Sequence, residues 1–134
     1  MAELICVDPR RVHEVWPHIR DRLQRATERT QASDWADDVD RIMSGDALVW
    51  IARDGDQIAA VATTEIVQFN GNKYCYITGC GGEKQENWLH LIAGLEQFAK
   101  AEGCKSTRIL GRQGWRAVLK DYAPRLVLLE KEVA

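Results

Sequence analysis

The glycine cluster Gly79-Cys80-Gly81-Gly82 lies between the run Lys73-Tyr74-Cys75-Tyr76-Ile77-Thr78 and the stretch Asn87 to Glu102, and it has the residue types of an anion-binding loop. Glycines let a ligand approach the backbone closely. The first turn of a helix leaves N–H groups unpaired at the positive end of its dipole, so strand, glycine loop and helix start in that order suit a phosphate or carboxylate. Thr78 and Lys84 flank the cluster and add a hydroxyl and a cation. Glu65 is the second candidate. On an alternating strand it shares a face with Val61, Val67 and Phe69, and a carboxylate on an apolar face is a candidate general base; pairing with a neighbouring Lys or Arg is the competing expectation. Tyr74, Tyr76 and Thr78 share one face of their strand, either lining a groove or packing on the sheet.

Cys75, Cys80 and His90 are the set that comes nearest to a metal site, yet zinc ligands usually come as close pairs and no CxxC pair occurs. Cys6, Cys75, Cys80 and Cys104 are therefore expected to be free, mostly buried thiols, and no metal is expected. Asp34, Asp37 and Asp38 suit the positive end of a helix dipole better than a metal. His13, His18 and His90 show no catalytic or metal spacing and are expected on the surface.

These residues need a scaffold, and 134 residues suffice for one domain, 1–134, with a proper core. A net charge of −2 gives no overall attraction for nucleic acid or an anionic membrane, so neither is an expected partner. No apolar run approaches the roughly 18 to 20 residues that span a bilayer, and the first residues lack the pattern of a signal peptide, which makes a cytoplasmic location the expectation.

Leu4 to Val7 reads as a first strand, and Asp8-Pro9 as the cap and first position of a helix. Val12, Val15, Trp16, Ile19 and Leu23 carry that helix to about Thr27, with a kink or restart expected at Trp16-Pro17. Ser33 is the expected N-cap of a second helix with Trp35, Val39, Ile42 and Met43 inside and Gly45 just past its end. Three strands follow, Ala47 to Arg53, Gln57 to Phe69 and Asn72 to Gly79. They are joined at Asp54-Gly55-Asp56 and Asn70-Gly71, pairs preferred in type I′ hairpin turns. Trp88, Leu91, Ile92, Leu95, Phe98 and Ala99 form one apolar stripe on the next helix, expected to be the longest amphipathic one. Ser106 to Leu110 reads as a strand, Gly114 to Tyr122 as a short helix, and Arg125 to Val133 as a last strand opening with an aliphatic run.

This order, β-α-α-β-β-β-α-β-α-β, resembles the GNAT (Gcn5-related N-acetyltransferase) fold, an α+β fold with a mixed sheet and helices on both faces. Glu96 to Cys104 resembles the end of that family's main helix and the turn beyond it, and Gly111 to Tyr122 resembles the segment leading through its last helix. The second stretch is also similar to small GNAT-like proteins found near phage and prophage structural genes. The resemblance implies acetyl-CoA as cofactor, an amine as acceptor, and Thr78, Gly79, Cys80, Gly81, Gly82 and Lys84 as cofactor-binding residues.

The chain departs from the family pattern at two places. The pyrophosphate loop aligns with Gly82-Glu83-Lys84-Gln85-Glu86-Asn87, where two motif glycines are missing and two carboxylates stand instead. Each carboxylate within about 5 Å of a phosphate would cost on the order of 1 to 3 kcal/mol. The family's general-acid tyrosine aligns with Leu119, leaving Tyr122, three residues on, as the candidate proton donor and Glu65 as the candidate base. The implied function is thus an acyl-CoA N-acyltransferase with a degenerate cofactor motif. The alternative is a GNAT fold without cofactor or catalysis, serving as a scaffold with a protein partner, such as a phage or prophage assembly or virion-associated protein.

Overall fold

The computed structural model describes residues 3–30, 33–82, 85–111 and 115–133. Strand β1 (Glu3–Val7) leads through a 3₁₀ turn at Pro9–Arg11 into α1 (Val12–Thr30), followed by α2 (Trp35–Ser44). The meander is β2 (Leu48–Asp54), β3 (Gln57–Phe69) and β4 (Asn72–Gly82); then come α3 (Gln85–Ala101), β5 (Ser106–Ile109) and the single turn α4 (Trp115–Val118). The five strands lie in sequence order, antiparallel from β1 to β4, with β5 parallel to β4 at one edge. No described helix is long and apolar enough to cross a membrane.

Strand alternation divides the core between the two faces of the sheet. Val49, Ile51 and Val61 pack with Ile19 and Leu23 of α1 and Ile42 of α2. Their neighbours Trp50, Ala52, Ala60 and Ala62 face the other way, against Leu91, Ile92 and Leu95 of α3 and Leu119 beyond α4. The buried Trp50 donates its indole N–H to Thr64 Oγ1 at 2.9 Å and meets Phe98 edge-on with ring centroids 4.8 Å apart. On the first face Trp16 and Trp35 stack at 5.9 Å, joining α1 to α2.

Several local expectations need correction. Asp34, not Ser33, caps α2, accepting from the Asp37 N–H, while the Ser33 hydroxyl donates to Asp38. Helix α1 continues through Pro17 to Thr30 and, at 19 residues, exceeds the 17 of α3. Pro17 and His13 both lie on its exposed side, where water can satisfy the carbonyl that the proline leaves without a donor. Asn70 and Gly71 have φ of 51° and 80°, as a type I′ turn requires. At the other hairpin Asp54 pairs with Gln57, so the central residues are Gly55 and Asp56 and only Gly55, at φ 63°, is left-handed. Two corrections bear on function: Gly79 to Gly82 is not a loop but the end of β4, and Arg125 to Val133 forms no strand in the single chain.

Candidate functional site

The site begins where two strands part. Strand β5 follows β4 only from Tyr74↔Ser106 to Ile77↔Ile109, whereas β4 stays paired with β3 as far as Ala60↔Gly82. Among the described residues no strand pairs with Thr78 to Gly82 on the β5 side, where backbone donors and acceptors are spaced to meet an extended ligand. The ladder also slips at this point. Thr64 pairs with Ile77 and Thr63 with Gly79, so Thr78 is the extra residue of a β-bulge. A bulge unpairs the inserted residue and re-aims its neighbours. The Thr63 and Thr78 hydroxyls share a hydrogen bond of 2.8 Å that fixes the bulge in place.

A cavity of about 290 Å³ opens along this edge, floored by Ile77 to Gly82 and closed by Ile109, Leu110 and Trp115. Only Gly79 is closely constrained by the elements beneath. A Cβ on Gly79 would stand 3.1 Å from Thr63 Oγ1, and one on Gly81 would stand 3.5 Å from the Arg22 carbonyl of α1. The far wall is α1, which presents Arg22, Arg25, Ala26, Arg29 and Thr30. Three arginines at i, i+3 and i+7 fall on one face of a helix, here the face toward the β4 edge. Arg22 donates to the Ile58 carbonyl and Arg25 Nε to the Asp21 carbonyl at 3.3 Å. No Asp or Glu occurs among the described residues lining this cavity, which carry three arginines. A wider depression of about 720 Å³ between β1 and α1 differs in its lining, where Asp8, Glu14 and Asp56 stand beside Arg11, Arg22 and Arg53.

Of the residues singled out from sequence, Thr78, Gly79, Cys80, Gly81 and Gly82 all line the cavity. Lys84 lies outside the described residues. Burial pushes the Cys80 thiol up to about 12, so at neutral pH it is no thiolate nucleophile. Tyr122 and Glu65 are not brought to the cavity among the residues lining it. The Tyr122 hydroxyl donates to Glu96 Oε2 at 2.8 Å and shares a 2.6 Å hydrogen bond with Thr107. Burial raises the Tyr122 pKa above that of an ordinary tyrosine, and Glu96 adds to the rise. Glu65 forms an ion pair with Arg41 at 3.3 Å, the pairing that competed with a catalytic role. Tyr74 and Tyr76 pack on the sheet under Arg108, whose guanidinium lies 3.8 Å from the Tyr74 ring centre and 3.0 Å from the Tyr76 hydroxyl. His13, His18 and His90 are exposed, all four cysteines are free, and no cluster of metal-binding side chains occurs among the described residues. Cys75 is the fully buried cysteine, Cys80 and Cys104 are half-buried, and Cys6 is exposed.

Two features had a sequence signal that went unused. Glycines inside a strand mark bulges or close backbone approach, which fits Thr78-Gly79. The spacing of Arg22, Arg25 and Arg29 was itself visible, but arginines on a helix normally face solvent, and only the placement of α1 across β4 gives them a target.

No protein-family model matches the chain, and no curated protein does. Solved structures do match over its whole length. The ribosomal-protein-alanine N-acetyltransferase of Brucella melitensis superposes with a TM-score of 0.69 at 11% identity, covering 100% of this chain and 99% of that one. The chain has the GNAT acetyltransferase fold. A predicted acetyltransferase with acetyl-CoA from Clostridium acetobutylicum gives 0.66 at 15% identity, covering 100% of this chain and 96% of the other. An aminoglycoside acetyltransferase from an uncultured soil metagenomic sample gives 0.68 at 12% identity, covering 99% and 97%. The cavity lies where β4 runs on beyond its pairing with β5.

Proposed function

We propose that the chain is an acyl-CoA-dependent N-acyltransferase that recognises the anionic end of its cofactor with α1 arginines. The observation that carries this reading is the conjunction at one place of the free β4 edge, the Thr78 bulge and a cavity walled by Arg22, Arg25 and Arg29 with no carboxylate among its described lining. These residues fit an acyl-CoA: an extended amide-bearing arm matches an open strand edge, and phosphates match guanidinium groups. A structural neighbour described with acetyl-CoA supports the choice of ligand. Glu83 and Glu86 occupy the family's pyrophosphate loop in sequence, and in this reading phosphate recognition has moved from that loop to α1.

Bound acyl-CoA supplies a thioester whose carbonyl carbon takes the amine, so that a C–N bond replaces C–S, the amine gives up a proton and the thiol is released. The chain's part is positioning. Backbone N–H groups beside the Thr78 bulge would be the donors available to the thioester carbonyl oxygen and to the charge that develops on it. Ile77, Ile109 and Leu110 give the cavity its apolar lining. Tyr122 and Glu65 take no part here: the first is committed to Thr107 and Glu96 and is too weak an acid for a thiolate, and the second is committed to Arg41. The acceptor amine accordingly arrives deprotonated from solution.

Calorimetry and thermal shift with acetyl-CoA test the reading. A saturable heat and a raised melting temperature are expected, and neither at millimolar ligand would refute it. A second reading, a GNAT-fold scaffold without catalysis, is favoured by one observation: the described lining of the cavity holds no Asp, Glu, His, Lys or Tyr. Acetyl transfer to any amine dismisses that reading, while co-purification with one specific protein and no CoA supports it. A phage or prophage assembly role rests on the sequence resemblance alone.

A further inference from the structure

Two hydroxyls occur among the described residues lining the cavity, Thr78 on β4 and Thr30 on α1. Thr30 donates its proton to the Ala26 carbonyl at 3.0 Å, within its own helix. Thr78 is placed differently. It is the bulged residue just past Ile77↔Ile109, the last pair of β4 and β5, and its hydroxyl oxygen lies 2.8 Å from Thr63 Oγ1 and 3.4 Å from the Thr63 carbonyl. Building on the acyl-CoA reading of this cavity, we infer that the Thr78 hydroxyl, oriented by Thr63, donates a hydrogen bond to the sulfur released in acyl transfer.

The direction of these bonds follows from burial. A pair of hydroxyls holds two protons, and only one of them can lie between the two oxygens. Thr63 is 6% exposed and Thr78 is the partner of its hydroxyl among the described residues, so a Thr63 proton turned elsewhere would be a buried donor without an acceptor. Thr63 therefore donates and Thr78 accepts. The Thr78 proton is left with the Thr63 carbonyl at 3.4 Å, well beyond the separation of about 2.8 Å usual between a hydroxyl and its acceptor. A hydroxyl whose oxygen is held and whose proton is weakly engaged is set to donate to a ligand entering the cavity. Accepting from Thr63 strengthens that donation, since hydrogen bonds in a chain polarise one another.

The position of the hydroxyl selects the sulfur. A Cβ on Gly79 would stand 3.1 Å from Thr63 Oγ1 and 3.8 Å from Leu23 Cδ2, which puts the hydroxyl pair on the α1 side of the sheet. Backbone N–H groups of the β4 edge lie in the plane of the sheet instead and suit the carbonyl oxygen. The sulfur joins the acyl group to the arm that runs to the phosphates, and with the phosphates at Arg22, Arg25 and Arg29 that arm leaves on the α1 side, beside Thr78. In the transfer the amine nitrogen bonds to the carbonyl carbon and gives up a proton to water, the C–S bond breaks, and its electron pair stays on sulfur as a thiolate. Thr78 keeps its proton, because an alcohol is a much weaker acid than a thiol. What it supplies is a charge-assisted hydrogen bond to the sulfur as it becomes negative. That role suits a chain with Leu119 at the position of the family's tyrosine and with Tyr122 committed to Thr107 and Glu96.

Ultraviolet titration of the thiol of bound CoA, on the intact chain and on Thr78→Val, Thr78→Ser and Thr63→Val, reads this bond without turnover. Thr78→Val should disfavour the bound thiolate by about 10- to 100-fold, the worth of one hydrogen bond to a charged group, and should slow acetyl transfer by a similar factor in kcat with KM little changed. Thr78→Ser, which keeps the hydroxyl, should recover most of the loss, and Thr63→Val should fall between. Desulfo-CoA, which has no sulfur, should bind all four proteins alike. If bound CoA ionises in Thr78→Val as it does in the intact chain, the inference is overturned and acyl-CoA binding still stands. A loss of desulfo-CoA affinity in Thr78→Val overturns it as well, since the side chain would then be a support for the bulge. An intact chain that binds neither CoA nor desulfo-CoA removes the acyl-CoA reading and the inference with it.

Discussion

Replacing Arg25 and Arg29 together by Gln probes the recognition mode most sharply, because it removes two charges from the cavity wall and leaves its shape nearly intact. A cation about 5 Å from a phosphate interacts with it by about 1 to 3 kcal/mol at effective dielectrics between 20 and 80. Both arginines are exposed, so screening holds each near the lower bound, about 1 kcal/mol. The double variant should therefore bind acetyl-CoA about 30-fold more weakly, from about 2 kcal/mol of lost interaction. Titration calorimetry reads that change directly. The gap should narrow as salt is raised, since screening shortens the reach of exposed charges, and pantetheine, which has no phosphate, should bind both proteins alike. Neither arginine supports the core, so the melting temperature should hold. Equal affinity of the two proteins for acetyl-CoA at low salt would show that the α1 arginines do not read the phosphates.

Thr64→Val keeps the shape of a buried residue while removing the acceptor of the Trp50 indole N–H, and it should cost about 1 to 3 kcal/mol in urea unfolding with little change of slope. A cost under about 0.5 kcal/mol would mean that water reaches the indole. Tyr122→Phe should leave acetyl transfer within a few-fold of the intact chain but change the pH dependence of stability. The pKa of Tyr122 is raised by folding, so its contribution is complete below the unfolded value of 10.0 and declines as pH rises above it. Urea unfolding from pH 8 to 11 should show the stability difference between the two proteins constant at first and then falling. A flat difference, or loss of transfer, would contradict that placement of the hydroxyl.

The strongest local signals in the sequence were those of the meander and the main helix. Asn70-Gly71 fixed a hairpin because few other pairs tolerate two positive φ values, and Leu91, Ile92, Leu95 and Ala99 are buried along the stripe that their spacing implied. The weaker points were those where tertiary context decides. Gly79 to Gly82 has the composition of a loop, yet pairing with β3 draws it into β4 and turns the glycines into a floor against α1. Ser33 and Asp34 are both good caps, and the choice between them depends on a second bond from Ser33 to Asp38. Pairing of Glu65 with a Lys or Arg was one expectation, but its partner Arg41 comes from α2, 24 residues away, and is not identifiable from the strand itself. Arg125 to Val133 has the pattern of a strand and forms none in the structure.

The central claim is that the edge of β4 beyond Ile77 holds an acyl-CoA, and amide chemical-shift mapping during an acetyl-CoA titration addresses it most directly. Saturable shifts at Thr78 to Gly82 and at Ile109 and Leu110, with little change at β1 and β2, are the result this account predicts. A titration that leaves those amides unmoved at millimolar acetyl-CoA, or that moves residues of the β1–α1 depression in their place, would contradict it.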